Sequence, residues 1–287
     1  MTLREALPED IPAMAAFLMR HAETSMFLMS NLADHGTDER VHPHGTRYWL
    51  HHGTAGIAAI FGATNGGFLM VQAPDLPGAV WSEWARALAG HMMRGITGDD
   101  IQVRRALAVL GLKSGDVASN HAEPLYRLDL DRLDAPEGVI MRAAGEADRE
   151  MLTGWYVDYL IDTGLTRDRA RAGEEAAARA LAASRGGAER LLVEDGRPVA
   201  AASINARAGD MVQVGGVFVP AAERNRGLGR RVTAARLAEA RAAGARVAIL
   251  FSNNDAASRA YEAIGFRRVG DYRVCVLNRP IFLGAPA

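Results

Sequence analysis

The feature that most constrains this 287-residue chain is an internal echo. Leu3-Arg4 and Asp10 recur as Met141-Arg142 and Asp148, each 138 residues on. Both copies lead into a helical pattern with aromatics, Phe17 in one and Trp155-Tyr156 in the other. Paired strands follow. The first copy reads Trp49–His52, a Gly-Thr-Ala-Gly turn, Ile57–Phe61, an Asn65-Gly66 turn, then Phe68–Gln72. The second reads Leu191–Glu194, an Asp195-Gly196 turn, Val199–Ile204, an Ala-Gly-Asp turn, then Met211–Val214. Asn-Gly and Asp-Gly between apolar runs are hairpin signals. The copies also end alike, Arg105–Leu112 against Arg259–Phe266, and each ends on a final strand, Leu125–Leu130 and Tyr272–Leu277. Shared order of this kind reads as one α/β unit used twice. Asp134-Ala-Pro-Glu-Gly138 is the natural linker, which predicts domains at 1–134 and 139–287.

The copies differ where chemistry would sit. In the second, an apolar strand enters a polar turn at Val217-Phe-Val-Pro-Ala-Ala-Glu-Arg-Asn-Arg-Gly-Leu-Gly-Arg-Arg-Val232. A helix starts at once, with Leu228, Val232, Ala235 and Ala238 spaced for one buried face. A glycine-bearing turn at a helix N-terminus aims backbone N–H groups at one point, which suits a diphosphate. Arg224, Arg226, Arg230 and Arg231 add formal positive charge. A Walker A loop is excluded, because Lys113 is the only lysine. A dinucleotide fingerprint is disfavoured, because Val232 stands where a third glycine should follow Gly227 and Gly229.

The remaining pattern, Arg224-x-x-Gly227-x-Gly229 between strand and helix, resembles the pyrophosphate motif of the GNAT superfamily of N-acetyltransferases. Downstream, a buried strand at Val247–Phe251 leads into Asn254-Asp-Ala-Ala-Ser-Arg-Ala-Tyr261-Glu-Ala-Ile-Gly265-Phe266. This resembles the second GNAT signature. The two motifs stand in the right order, with spacing for one right-handed crossover. Val212-Gln-Val-Gly-Gly-Val-Phe218 looks most like the glycine-N-acyltransferase-like branch, which admits longer acyl groups. The resemblance implies two tandem GNAT-like domains, each a mixed, mostly antiparallel sheet flanked by helices around a central parallel crossover. After Gln72 the first copy has no arginine through Trp81, and two prolines remove backbone donors there. Leu107 stands where Tyr261 would. The first copy is therefore expected to keep the fold without the cofactor site.

The resemblance also implies roles. Arg224, Asn225, Arg226, Gly227, Leu228, Gly229 and Arg230 would hold the pyrophosphate of acetyl-CoA, the expected cosubstrate. Val217, Phe218 and Val219 would part from the Val247–Phe251 strand and bind the pantetheine arm. One of their N–H groups would support the developing oxyanion. Tyr261 would protonate the departing thiolate, since a phenol stays protonated at neutral pH. Asn254 either bonds the pantetheine amides or N-caps the next helix, or does both. The expected activity is transfer of an acetyl or longer acyl group to a primary amine by direct attack. A non-catalytic acyl-CoA sensor is the alternative. The general base is not legible: the central strand offers Gln213, and Glu194, Asp158, Tyr156 and Tyr159 read equally well as surface or packing residues. Cys275 lies in the last strand with no histidine near it in sequence and is a poor nucleophile.

A formal net charge of −1 gives no bulk attraction to nucleic acid or anionic membrane. One cysteine forbids an internal disulfide and fits a reducing cytoplasm. No signal peptide or apolar run of membrane-span length is apparent. His35, His42, His44, His51 and His52 cluster, but no cysteine is near and the spacing suits a polar loop better than a metal site. Arg167-Asp-Arg-Ala-Arg171 is flanked by acids and reads as a solvated helix face. The alanine-rich helix from Glu174 to Ala183 falls where relatives form a substrate-side wall. The acceptor, a small-molecule or peptide amine, stays unnamed, as does the choice between monomer and homodimer.

Overall fold

A computed structural model describes residues 3–166 and 168–284. Along the first half run β1 (Arg4–Glu5), α1 (Ile11–Met19), α2 (Ala22–His35), β2 (Thr46–Gly53), β3 (Gly56–Thr64) and β4 (Phe68–Gln72). These are followed by α3 (Gly78–Ala87), β5 (Met92–Asp99), α4 (Asp100–Leu110) and β6 (Val117–Asp129). The second half repeats the series: β7 (Ile140–Ala143), α5 (Arg149–Asp162), α6 (Arg169–Gly186), β8 (Glu189–Glu194), β9 (Arg197–Ala208) and β10 (Met211–Phe218). Then come α7 (Leu228–Ala242), β11 (Val247–Phe251), α8 (Asp255–Glu262) and β12 (Arg267–Phe282). The repeated order and the mixed, mostly antiparallel pairing agree with the expected fold class.

The compact units are not the two contiguous halves that the linker suggested. One is Met1–Glu123 with Asp271–Ala287; the other is Pro124–Gly270. The final strands have changed places. In the first unit the strands run β1-β2-β3-β4-β5-β12, and in the second β7-β8-β9-β10-β11-β6. β12 pairs with β5 from Tyr272↔Asp99 to Val276↔Gly95. β6 pairs with β11 from Leu125↔Phe251 to Asp129↔Val247. Asp134–Gly138 therefore joins two segments of one unit, the second half of β6 and β7. Cys275 sits in the first unit, opposite Ile96, and is fully buried. The apolar pattern does not reveal the exchange. Both terminal strands bury alternate apolar residues (Tyr126 and Leu128; Cys275 and Leu277), so apolar period alone does not say which sheet each completes.

The echo itself is physical. Arg4 clamps Asp10 with two 2.7 Å bonds, and Asp10 accepts from the Leu7 N–H at 2.8 Å. Arg142 clamps Asp148 at 2.6 and 2.7 Å, and Asp148 accepts from the Gly145 N–H at 2.8 Å. Each clamp ties the edge strand to the start of the first helix and holds its aspartate below the usual carboxylate range, chiefly through the arginine bonds. The Asp195-Gly196 turn has both residues at positive φ, 49° and 75°, as a tight hairpin requires. At Asn65-Gly66 the positive φ falls instead on Gly67, and the Asn65 side chain donates to the His42 carbonyl at 2.8 Å.

The two cores are built from different residues. In the first, Phe61 stacks on Trp84 with 4.7 Å between ring centroids and meets Trp81 edge-on at 5.2 Å. In the second, Ala172, Ala176, Ala180, Ala200, Ala202 and Ala248 are all fully buried. Small residues let the helices approach the sheet closely. His35 stacks on His42 at 4.2 Å, and among the described residues no group of three or more His, Cys, Asp or Glu side chains is arranged to hold a metal ion. Arg167 lies outside the described residues. Asp168 caps α6 and Arg169 pairs loosely with Asp158 at 3.7 Å.

Candidate active site

The site in the second unit begins where a ladder stops. β10 and β11 pair in parallel from Met211↔Val247 to Gln213↔Ile249. Both strands continue, β10 to Phe218 and β11 to Phe251, with no further pairs between them. The opposite edge of β10 is bulged against β9 between Gly215 and Phe218, where Gly216 takes φ +61°. A bulge of this kind bends the strand and leaves backbone groups outside the ladder. Val217, Phe218 and Val219, the expected arm-binding residues, lie on this bent stretch.

Beyond Pro220, a single 3-10 turn (Ala221–Glu223) leads into the arginine loop. Asn225 and Gly227 both have positive φ, 64° and 72°. Gly227 is the N-cap of α7 and so brings no side-chain cap. The first N–H groups of α7, on Leu228, Gly229 and Arg230, are thus left pointing out of the helix. A Cβ on Gly229 would find only an ordinary contact, 3.8 Å from Val219. Nothing in the protein demands glycine there, so the free space suits an approaching ligand.

The arginines divide by role. Arg224 bonds Asp162 at the end of α5 at 2.6 Å and the Val219 carbonyl at 3.1 Å. Arg226 bridges Glu194, at 2.6 Å, and Glu223. Arg231 reaches the same Glu194 at 2.5 Å. These pairs pin the loop to α5 and β8. Arg230 has no acidic partner among the described residues. Its guanidinium folds over Gly227, with Nε 3.1 Å from where a Cβ would stand. It is the loop cation most available to an anion.

Asn254 is the N-cap of α8. Its Oδ1 accepts from the Ala257 N–H at 2.8 Å and its Nδ2 donates to Asn253 at 2.8 Å. Its visible work is to fix the helix that carries Tyr261. Tyr261 is 8 % exposed and meets Phe266 edge-on at 6.1 Å, within the cluster that contains Val212 and Val214 and on which Val217 packs. The structure thus brings Tyr261 to the strand whose end splays.

Beside the bulge opens a pocket of about 270 Å³. Tyr156 and Tyr159 of α5, Arg179 of α6, Glu189 of β8, and Ser203 and Asn205 of β9 line it, with Gly216 of β10. Glu189 is 4 % exposed, and its Oε1 has no hydrogen-bond partner. Its Oε2 is 3.9 Å from where a Gly216 Cβ would be. Burial pushes its carboxyl up to about 7, against smaller lowering effects from Tyr156, Ser203, Arg179 and Arg236. A carboxylate near neutrality suits a proton acceptor. Sequence reasoning passed over Glu189. The signal was its parity, since it lies two residues before the fully buried Leu191 and shares that inward face. Tyr156 and Tyr159, considered for the cleft, do line the pocket. Glu194 and Asp158 do not; they pair with arginines elsewhere. Gln213 is buried and donates to the Val214 carbonyl at 2.8 Å.

Residues 151–266 match the family model described as the acetyltransferase (GNAT) family. The matched segment, 151–266, lies within the second unit and spans the splayed strand, the arginine loop and Tyr261. Solved structures extend the likeness of fold to nearly the whole chain. A Drosophila protein aligns with a TM-score of 0.64 at 13% identity, covering 96% of this chain and 98% of its own. A GCN5-related N-acetyltransferase from Sphaerobacter thermophilus aligns at 0.54 and 17% identity, covering 95% and 94%. A tandem GNAT protein from the clavulanic acid biosynthesis pathway aligns at 0.50 and 15% identity, covering 99% of each chain. No curated protein matches. Among the described residues, no helix is long and apolar enough to cross a membrane.

Proposed function

We propose that the second unit is an acetyl-CoA-dependent N-acetyltransferase acting on an amine by direct attack. The observation that carries this reading is the splay of β10 from β11 after Gln213↔Ile249, open between the arginine loop and the Glu189 pocket. The N–H groups of Leu228, Gly229 and Arg230 would hold the diphosphate, with the Arg230 guanidinium beside it. Val217–Val219 would bind the pantetheine arm through backbone bonds, as a sheet edge binds a strand. The cosubstrate supplies a thioester carbon to the nucleophile. The amine nitrogen forms the C–N bond while Glu189 takes its proton. A backbone N–H on the bulged strand supports the charge that develops on the carbonyl oxygen. Tyr261 gives its proton to the sulfur as the C–S bond breaks, and regains one from solvent. Each step conserves protons, and no group on the protein is acylated. Burial pushes the Cys275 thiol up to about 11 and places it in the other unit, which leaves it outside this chemistry.

Calorimetric titration with acetyl-CoA, with ATP and NAD as controls, tests the binding half. One acetyl-CoA per chain is expected, with Glu189→Gln binding it unchanged. Thiol release with a panel of amines then tests transfer. No binding, or preference for a nucleotide, would overturn the reading.

A further inference from the structure

The Glu189 pocket contains a second charged group that the transfer chemistry does not use. Arg179 lies over the rings of Tyr156 and Tyr159, 6.0 and 5.8 Å from their centroids. Two aromatic faces fix a guanidinium without consuming its in-plane donors. Its ion pair is loose: Glu175, one turn earlier, is 3.8 Å from Nε, and the two side chains are 44% and 49% exposed. Such a pair contributes little and competes weakly with a ligand. Ala182, Ala183 and Ala188 keep the space beside Arg179 clear. Glu189, buried with Oε1 unpartnered, provides the opposite charge in the same pocket.

One anchored guanidinium and one buried carboxylate in about 270 Å³ fit a compact molecule that carries both signs. A polyamine would set its far cation against Arg179. A neutral-tailed amine would leave the guanidinium facing an apolar stem. We propose that the acceptor is a small amino carboxylate, its amine toward Glu189 and its carboxylate forked on Arg179. The identity of the transferred group rests on the acetyltransferase reading; the pocket's preference for an amino carboxylate does not.

The test uses matched probes on the full chain: common α-amino acids, their carboxamides and their decarboxylated amines. Binding is measured by calorimetry in the presence of CoA, and turnover by thiol release with acetyl-CoA. Amino acids are expected to bind at least tenfold more tightly than their neutral-tailed counterparts. Arg179→Gln should erase that preference, raising KM at least tenfold with kcat within about twofold, and Arg179→Lys should restore part of it. Equal binding of all three series, no binding of any, or an Arg179→Gln loss shared equally by the three would overturn the proposal. A carboxylate preference in binding without thiol release from any amine would instead overturn the transferase reading and leave the pocket assignment standing. Turnover on amides and decarboxylated amines with no carboxylate preference would do the reverse.

Discussion

In the N-terminal unit β4 and β5 stay paired from Phe68↔Gly95 to Val71↔Gly98, and β4 ends one residue later. In the C-terminal unit the corresponding ladder stops at Gln213↔Ile249 while β10 runs on to Phe218. The first unit also fills its opening from within. The Ala73 N–H bonds the Gln102 side chain at 2.5 Å, and Thr24 and Ser25 both donate to the Gln72 side chain. Asp75 at positive φ, Leu76 and Pro77 stand where the other unit has its arginines. One fold thus serves two ends. In the first unit the Gln102 side chain occupies the Ala73 N–H, a backbone group just past the end of β4. In the second the end of β10 stays outside its ladder with β11, and the loop that follows is pinned by Arg224, Arg226 and Arg231.

The largest test of this comparison is where the chain can be cut. A fragment 139–287 keeps every site residue but lacks Leu125–Asp129, the partner of β11, and carries β12 without β5. It is expected to show no cooperative thermal transition and no acetyl-CoA binding. A fragment 124–270 should show both, because it matches the compact unit. Cooperative folding of 139–287 alone would mean that the exchanged strands are dispensable.

Chemistry should separate the units next. Tyr261→Phe should lower kcat by roughly 10²–10⁴-fold while acetyl-CoA affinity holds. The first unit offers no phenol at this place. Counted from the matching N-caps Asp99 and Asn254, the equivalent residue is Ala106; counted from the closing glycines Gly111 and Gly265, it is Leu107. Unchanged turnover would remove Tyr261 from the mechanism.

Glu189→Gln makes a two-sided prediction. Its folded carboxyl titrates near 7, above the ordinary range, with Tyr156, Arg179, Ser203 and Arg236 as its neighbours. The folded state therefore holds this proton more tightly than the unfolded chain. Stability falls as pH rises from the ordinary carboxylate range to about 7, and the full cost remains above that. The shift corresponds to about 3 kcal/mol. Glu189→Gln should leave stability unchanged in acid, raise it above neutrality, and lower kcat by roughly 10²–10⁴-fold. Denaturant melts at acid and alkaline pH check the first part; wild-type kcat/KM falling below about pH 7 checks the base. A variant destabilised at high pH would contradict the cost of burial.

Trp84→Ala probes the N-terminal unit at a similar scale. Trp84 is fully buried, against Phe61 and Trp81. Its loss should cost about 3–5 kcal/mol of stability in that unit.

What the sequence made legible follows from the range of each signal. The Arg–Asp clamps, the hairpin turns and the arginine loop are local, so short runs of adjacent residues reveal each of them. The splay belongs to a motif, and Arg224-x-x-Gly227-x-Gly229 announces it. The strand exchange is not local: β6 and β12 have interchangeable apolar patterns, and only packing assigns them. Glu189 and Arg179 were missed for the same reason. They come from β8 and α6 and meet only across the pocket; the parity of Glu189 with Leu191 places it on the inward face but does not pair it with Arg179. Asn254 was legible as a cap because the capping bond spans three residues.

The smallest expected effects come from the loop and ask which arginine meets the ligand. Arg226 bridges two carboxylates, Glu194 and Glu223, whereas Arg230 lies across the N-cap glycine without an acidic partner among the described residues. Arg226→Glu would place a third acid in that cluster and disturb the loop itself, so weaker binding there mixes two causes. Arg230→Gln leaves every ion pair of the loop in place. It should raise the acetyl-CoA dissociation constant about tenfold, or about 1.4 kcal/mol, with an unchanged melting temperature. Arg226→Gln should weaken binding and also lower the melting temperature, because it strands two carboxylates. If Arg230→Gln binds like wild type while Arg226→Gln loses affinity without losing stability, the division is reversed. The pinned arginine would then be the one that reads the phosphate, and the contrast between a pinning set and a binding residue would fail.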